Sequence, residues 1–187
     1  MKKFFSVLAA LVMAASMSLN AAERGKFIHV DATVNKNLKP QIAFCQTKQG
    51  GKEVTTMLVK TVDTNGFKDF TDASRVLLRF ADGKAVKLNR VAGSEVQKNK
   101  FSKKNGNATI SYFETITEYE VLPEVIEKLE ANIAIIKVRI VVKENDAKDY
   151  DIAEGYQAKM AADLLKSYQD ATLANRKSST DLSDEDF

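Results

Sequence analysis

The sequence is poor in cysteine, histidine and tryptophan, and these shortages exclude several kinds of site. Its 187 residues include one Cys, one His and no Trp. A lone cysteine cannot form an intrachain disulfide, so a disulfide scaffold is excluded. One His and one Cys also cannot build a zinc cluster without carboxylates. We therefore predict no metal site.

Glycine and proline are also scarce, with 8 Gly and 2 Pro. This composition excludes collagen, and 44% hydrophobic with 28% charged residues is typical of a folded globular chain. No phosphate-cradling glycine loop and no nucleophile elbow occurs in the sequence. The length allows one domain of ordinary size. We therefore predict a single domain that uses no cofactor.

The first 22 residues have the layout of a secretory signal peptide. Residues 2–3 are both lysine, residues 4–15 are almost wholly apolar, and residues 16–22 are small or polar. The apolar run is shorter than the ~20 residues that a membrane-spanning helix needs. Cleavage after Ala21 and cleavage after Ala22 both fit. We predict an exported bacterial protein, periplasmic or extracellular, whose mature chain has no transmembrane anchor.

Removal of the signal peptide leaves a nearly neutral chain. The formal net charge of +3 includes two signal-peptide lysines, and without them 26 basic residues face 25 acidic ones. A nucleic-acid-binding domain usually shows a strong positive excess. We therefore predict no nucleic-acid partner.

Hydrophobic periodicity predicts one α+β domain over residues 23–175. Most links between the strand-like segments are too short for parallel crossovers, which favours an antiparallel arrangement. We expect a curved antiparallel sheet with a short helix before a central strand and a C-terminal helix packed on the sheet. A disordered acidic tail follows over 176–187. The predicted strands are 26–34, 41–47, 53–63, a hairpin over 75–89, 108–122 and 133–143, and the predicted helices are 124–130 and 153–174.

The hairpin over 75–89 has a predictable register. A two-residue loop would place Leu78 opposite Lys87, which is wrong for a buried face. A three-residue loop ending at Gly83 instead pairs Leu78 with Val86. Gly83 then takes the left-handed position of a type I turn with a bulge.

Residues 108–122 change their apolar face near 114–117. Tyr112 belongs to one apolar face and Tyr119 to the other. A strand whose side chains alternate cannot do this beside one uniform partner. The pattern predicts a β-bulge or a change of strand partner at that point.

The predicted C-terminal helix carries an apolar stripe that needs a surface to cover it. The stripe consists of residues four apart, namely Tyr156, Met160, Leu164 and Tyr168. We expect it to dock on the apolar face of strand 133–143, chiefly on Ile136, Val138 and Ile140. The alternative is a detachable helix that binds a partner's groove.

Four segments follow one another in a recognisable order: 76–83 (VLLRFADG), 119–129 (YEVLPEVIEKL), 136–140 (IKVRI) and 164–168 (LLKSY). This order resembles a group of uncharacterised small exported proteins that is common in Bacteroidetes. The resemblance covers roughly residues 54–175. It is a fold signature rather than an active site, so it implies export and architecture and assigns no catalytic residue.

Two groups of carboxylates are candidate sites. The row of Glu114, Glu118 and Glu120 on one strand face can in principle bind a cation or act on a glycosidic bond. A solvated strand face is the simpler interpretation. The second group lies near a turn and lacks the spacing of an EF-hand. Its members are Asp146, Asp149, Asp151 and Glu154.

His29 and Cys45 are the remaining reactive side chains. His29 and Asp31 lie two apart on a predicted strand and can form a base with its orienting carboxylate. An exposed polar row is the simpler interpretation. Cys45 lies in an apolar, strand-like stretch, which favours a buried small side chain over a reactive thiol.

Lysine is concentrated between Lys98 and Lys104, within a predicted exposed loop over 91–107. Such a run can meet an anionic envelope polymer or a lipid surface, and a solvated loop is the simpler interpretation. The run has four lysines, namely Lys98, Lys100, Lys103 and Lys104.

Three classes of function remain. We predict an exported, non-enzymatic binding or accessory domain of the bacterial cell envelope that binds an envelope protein or polymer. The alternative is a small envelope-polymer hydrolase that uses carboxylates, which requires two carboxylates ~5–10 Å apart across a cleft. An open strand edge or an exposed apolar patch favours partner binding. A structural or inhibitory accessory domain would show neither feature.

Overall fold

The computed structural model describes residues 24–30, 38–49 and 52–180. These residues form two antiparallel sheets and two helices, so the predicted α+β class is confirmed. The predicted signal peptide 1–22 and the end of the predicted tail, 181–187, lie outside the described residues. The two helices are α1 (Pro123–Glu130) and α2 (Glu154–Thr180). The tail predicted over 176–187 therefore overlaps the end of α2.

The strands divide into two sheets rather than forming one curved sheet. In spatial order, the five-stranded sheet contains β1 (Ile28–His29), β2 (Gln41–Gln49), β3 (Lys52–Asp63), β7 (Ala108–Glu120) and β6 (Gln97–Asn105). The four-stranded sheet contains β5 (Ala85–Asn89), β4 (Arg75–Phe80), β8 (Ile135–Lys143) and β9 (Asp146–Asp151).

The β4–β5 hairpin has the predicted register. Leu78 pairs with Val86, and the Phe80 amide donates to the carbonyl of Lys84 at 2.9 Å. The three-residue loop ends at Gly83, whose φ of 83° lies in the left-handed region. An L side chain rarely adopts this conformation, which explains glycine at this position.

The segment from Lys98 to Lys104 is a strand, so the predicted loop over 91–107 is wrong for this part. β6 pairs with β7 from Gln97–Ile116 to Asn105–Ala108. Its side chains are nevertheless mostly exposed, as predicted. Because neither face of this strand is buried, it carries no apolar alternation, and alternation is the sequence signal for a strand.

The face change in β7 comes from a change of partner, one of the two predicted causes. β6 pairs with β7 over 108–116, whereas β3 pairs with it over 113–120. The ladder stays in register on both sides. Tyr112 is buried on one face, and Tyr119 is buried on the other.

A β-bulge in β8 corrects the predicted apolar face. Arg79 pairs with Lys137, but the next residue, Phe80, pairs with Ile135. Two residues of β8 thus oppose one of β4, which is the signature of a bulge. Ile135 is therefore fully buried, while Ile136 is only half-buried.

One core joins both sheets and both helices. Tyr119 and Phe44 come from the five-stranded sheet, Phe80 and Leu78 from the four-stranded sheet, and Leu129 from α1. Burial raises the pKa of Tyr119 to about 12, so its phenol stays protonated at neutral pH. The core depends on apolar burial with few buried charges, as expected for a single domain.

Helix α2 docks inside the molecule as predicted, but mainly on a different strand. Met160, Leu164 and Ala171 are fully buried, and Tyr156 and Tyr168 are half-buried. The helix lies chiefly on β2 and makes fewer contacts with β8. The sequence predicted Ile136, Val138 and Ile140 of β8 as the main docking surface, but β8 forms only its smaller part. β2 forms the larger part and presents Ile42 and Phe44 to the same core.

Small residues let α2 approach the strands closely. The Phe44 amide donates to the Ser167 hydroxyl oxygen at 3.1 Å. Gly25 lies against the same residue, and a Cβ added there would be 2.0 Å from the Ser167 carbonyl oxygen. This carbonyl belongs to the backbone of Ser167 and cannot move aside as a flexible side chain can. A side chain at position 25 would clash with it, so glycine is required there.

We expect Gly25→Ala to lower the free energy of unfolding by about 1–3 kcal/mol through overpacking against Ser167. Gly155→Ala is the matched control, since an added Cβ there meets nothing within 4 Å. It should leave stability unchanged or raise it by up to about 1 kcal/mol. Urea denaturation followed by circular dichroism measures both effects, and equal midpoints would contradict the close approach.

Candidate functional site

The exposed hairpin of β6 and β7 carries lysines on top of aromatic rings. We call this surface the basic–aromatic edge. It is formed where β6 ends the five-stranded sheet, and one ring comes from the connection between β3 and β4. Its members are Phe67, Lys98, Lys100, Phe101, Lys103, Lys104, Tyr112 and Phe113.

One face of the edge combines lysines with a pair of phenylalanines. Phe67 and Phe113 meet edge to face with ring centroids 5.1 Å apart. The Nζ of Lys98 lies 5.8 Å from the Phe67 centroid, and that of Lys100 lies 5.2 Å from the Phe113 centroid. Phe67 remains 38% exposed. The rings hold both ammonium groups in place without neutralising them.

The opposite face has a similar arrangement. Phe101 and Tyr112 are cross-strand partners, and their rings stack with centroids 5.3 Å apart. The Nζ of Lys103 lies 5.7 Å from the Phe101 centroid and 5.9 Å from the Tyr112 centroid. Cross-strand aromatic pairs of this kind stabilise a hairpin that has no sheet against its outer side.

The edge is electrostatically unbalanced. Lys98, Lys100 and Lys104 are exposed, and within residues 24–30, 38–49 and 52–180 no carboxylate lies within ion-pair distance of them. The nearby carboxylate of Glu114 pairs with Lys60 at 3.5 Å instead. The geometry therefore presents unneutralised positive charge along an open strand, a combination suited to an anionic partner.

Two glutamates of the predicted row form contacts with the neighbouring strand β3. Glu114 pairs with Lys60, and Glu118 accepts a hydrogen bond of 2.6 Å from the Thr56 hydroxyl. Glu120 is exposed at the end of β7. Two of the three glutamates are thus half-buried and paired within the sheet, and only Glu120 lies on a solvated face.

The second acidic group is also divided among basic partners. Asp149 pairs with Arg139, whose guanidinium donates to it at 2.7 Å and lowers the pKa of that carboxyl. Asp151 pairs with Lys137 at 3.0 Å. Glu154 begins α2. In the part of the chain that the structure describes, no group of three or more metal-ligating side chains is present.

A cavity of about 260 Å³ lies between the two sheets and bears on the hydrolase alternative. Its lining includes Asp63 and Asp146. Both carboxylates approach the ammonium of Lys68, at 3.7 and 3.4 Å, so their nearest oxygens are at most about 7 Å apart. This upper bound is compatible with the carboxylate spacing of glycosidases. However, both carboxylates form ion pairs with the same ammonium group.

His29 and Cys45 do not form a common site. His29 is exposed, and its Nε2 lies 3.5 Å from the side-chain Nε2 of Gln41. Its predicted partner Asp31 lies outside the described residues. Cys45 is fully buried, as predicted for a small core side chain. Sequence reasoning singled out the lysines of the edge but not the contact between Phe67 and Phe113, because these two rings meet only in the folded chain.

Comparisons with protein-family models, curated proteins and solved structures found no match. Among the described helices, neither has the length and hydrophobicity required to cross a membrane.

Proposed function

We propose that this chain is an exported, non-enzymatic binding domain of the bacterial cell envelope and that the basic–aromatic edge is its contact surface. The observation that carries the proposal is the row of Lys98, Lys100 and Lys104 on β6. In the part of the chain that the structure describes, these lysines have no carboxylate within ion-pair distance and β6 has no second strand partner. The partner is an anionic envelope component. The signal-peptide layout of residues 1–22 supports export, and the open edge supports binding.

The hydrolase alternative has weaker support. Asp63 and Asp146, which line the cavity between the two sheets, share the ammonium of Lys68. The glutamate row and the β9 carboxylates are engaged by Lys60, Thr56, Arg139 and Lys137. Ion pairs and hydrogen bonds within the protein are therefore sufficient to explain these carboxylates.

Export is tested by the mass of the protein from its native host. We expect the mature chain to begin at Ala22 or Glu23, because the small residues before them fit a signal-peptidase site. Intact-mass measurement on protein from the envelope and culture fractions decides between the two. A full-length chain confined to the cytoplasm would overturn this part of the proposal.

Binding is tested by removing the charge of the edge. We expect the double variant Lys98→Gln/Lys100→Gln to lose most of its co-sedimentation with an envelope fraction at low salt, since each lysine contributes attraction that salt screens. The matched control is Lys84→Gln/Lys87→Gln, which removes two exposed lysines from the β4–β5 hairpin. Equal sedimentation of both double variants would refute the assignment of the surface.

A further inference from the structure

We infer that the basic–aromatic edge binds an extended acidic peptide segment, which adds to β6 as a sixth strand with its carboxylates at alternate positions. This inference rests on the proposed function and names the partner of the same surface. Strand addition requires three features in one place: an open backbone edge, side chains that select the added strand, and enough length to hold it.

The backbone of β6 provides the edge and the length. β6 has nine residues and pairs only with β7 among the described strands. Its outer backbone amides and carbonyls therefore face no strand in that part of the chain. The other end of the same sheet, β1, has two residues. A two-residue edge is too short to hold an added strand.

The lysine spacing of β6 selects the added strand. Lys98, Lys100 and Lys104 occupy even-numbered positions and project from the same face, with Ser102 between them. Residues two apart along a strand are separated by about 6.6–6.8 Å. An added strand has the same repeat, so carboxylates opposite positions 98, 100 and 104 would each meet a lysine, whereas the position between the last two would face Ser102.

The same lysines reject other strands. Lysine on an edge strand discourages pairing with an apolar strand, because pairing would bury its charge. An acidic strand removes that obstacle by neutralising the ammonium groups. On the opposite face, the Phe101–Tyr112 stack offers apolar contact to the remaining alternate side chains. Edge β9 of the other sheet has a single lysine, Lys148, so it does not repeat the lysine row of β6.

Three synthetic peptides of identical composition test the inference, using fluorescence anisotropy with the full mature chain. The first has Glu and Thr in strict alternation, the second has all Glu residues in one block, and the third repeats the first with backbone N-methylation at every second residue. We expect the alternating peptide to bind roughly tenfold more tightly than either of the others, because only it has both the charge spacing and the backbone donors. Lys98→Gln/Lys100→Gln should abolish the difference, and Lys84→Gln/Lys87→Gln should preserve it.

Similar affinities for all three peptides would overturn strand addition, and so would a non-peptide polyanion such as polygalacturonate binding as tightly as the alternating peptide. Both results would leave the proposed function intact, since the edge would still bind anions through its lysines. Failure of the proposed function has a different signature, namely envelope co-sedimentation that does not depend on Lys98 and Lys100.

Discussion

Replacement of Val138 by Asp should cost about 4 kcal/mol or more of folding free energy and leave little folded protein at room temperature. Val138 is fully buried at the centre of the four-stranded sheet. Its cross-strand neighbours are Leu78 and Tyr150, both buried in the same core. A carboxylate there would be removed from water without a cationic partner beside it in the ladder.

Leu77→Asp is the matched control, because it makes the same kind of change one strand away on the opposite face. Leu77 is half-buried and pairs with Lys87 on one side and Arg139 on the other. A carboxylate between two cations is exposed to solvent and favourably placed, so the loss should stay below about 1 kcal/mol. Urea denaturation of both variants measures the difference. If their midpoints agreed, the assignment of the two faces of this sheet would be wrong.

The regular parts of the fold could be predicted because apolar residues recur in them with the period of a strand or of a helix. The β4–β5 hairpin, α1 and the stripe of α2 all have one buried side, and burial leaves a periodic pattern in the sequence. The pairing of Leu78 with Val86 followed from that pattern alone. Local sequence was sufficient wherever one face of an element meets the core.

Three features could not be predicted, because they depend on burial or on contacts that exist only in the folded chain. β6 has no buried face and therefore no strand signal. The bulge that buries Ile135 instead of Ile136 depends on how β8 meets β4. Within the candidate site, the lysine run was visible in the sequence, but the contact of Phe67 with Phe113 required the folded chain.

Leu164→Ala should lower the free energy of unfolding by roughly 2–5 kcal/mol, the usual range for a leucine removed from a packed core. Leu164 is fully buried on the side of α2 that faces β2, in the same core as Phe44 and Met160. Most of the stability of a helix in a protein comes from packing of its apolar face, so this burial holds α2 in place. Shortening the Leu164 side chain to that of alanine removes part of this apolar burial and leaves a cavity.

Leu173→Ala provides the control within the same helix, since Leu173 is 54% exposed and its truncation should cost less than about 0.5 kcal/mol. Thermal and urea melts of the mature chain and both variants give the comparison.

A detachable α2 makes the opposite prediction: Leu164→Ala would spare stability and weaken a complex. Two contacts of Ser167 argue for permanent docking. Its hydroxyl accepts a hydrogen bond from the Phe44 amide, and its backbone lies against Gly25. Detachment of α2 would expose both contacts together with Leu164. An unchanged melting temperature for Leu164→Ala would reverse that conclusion.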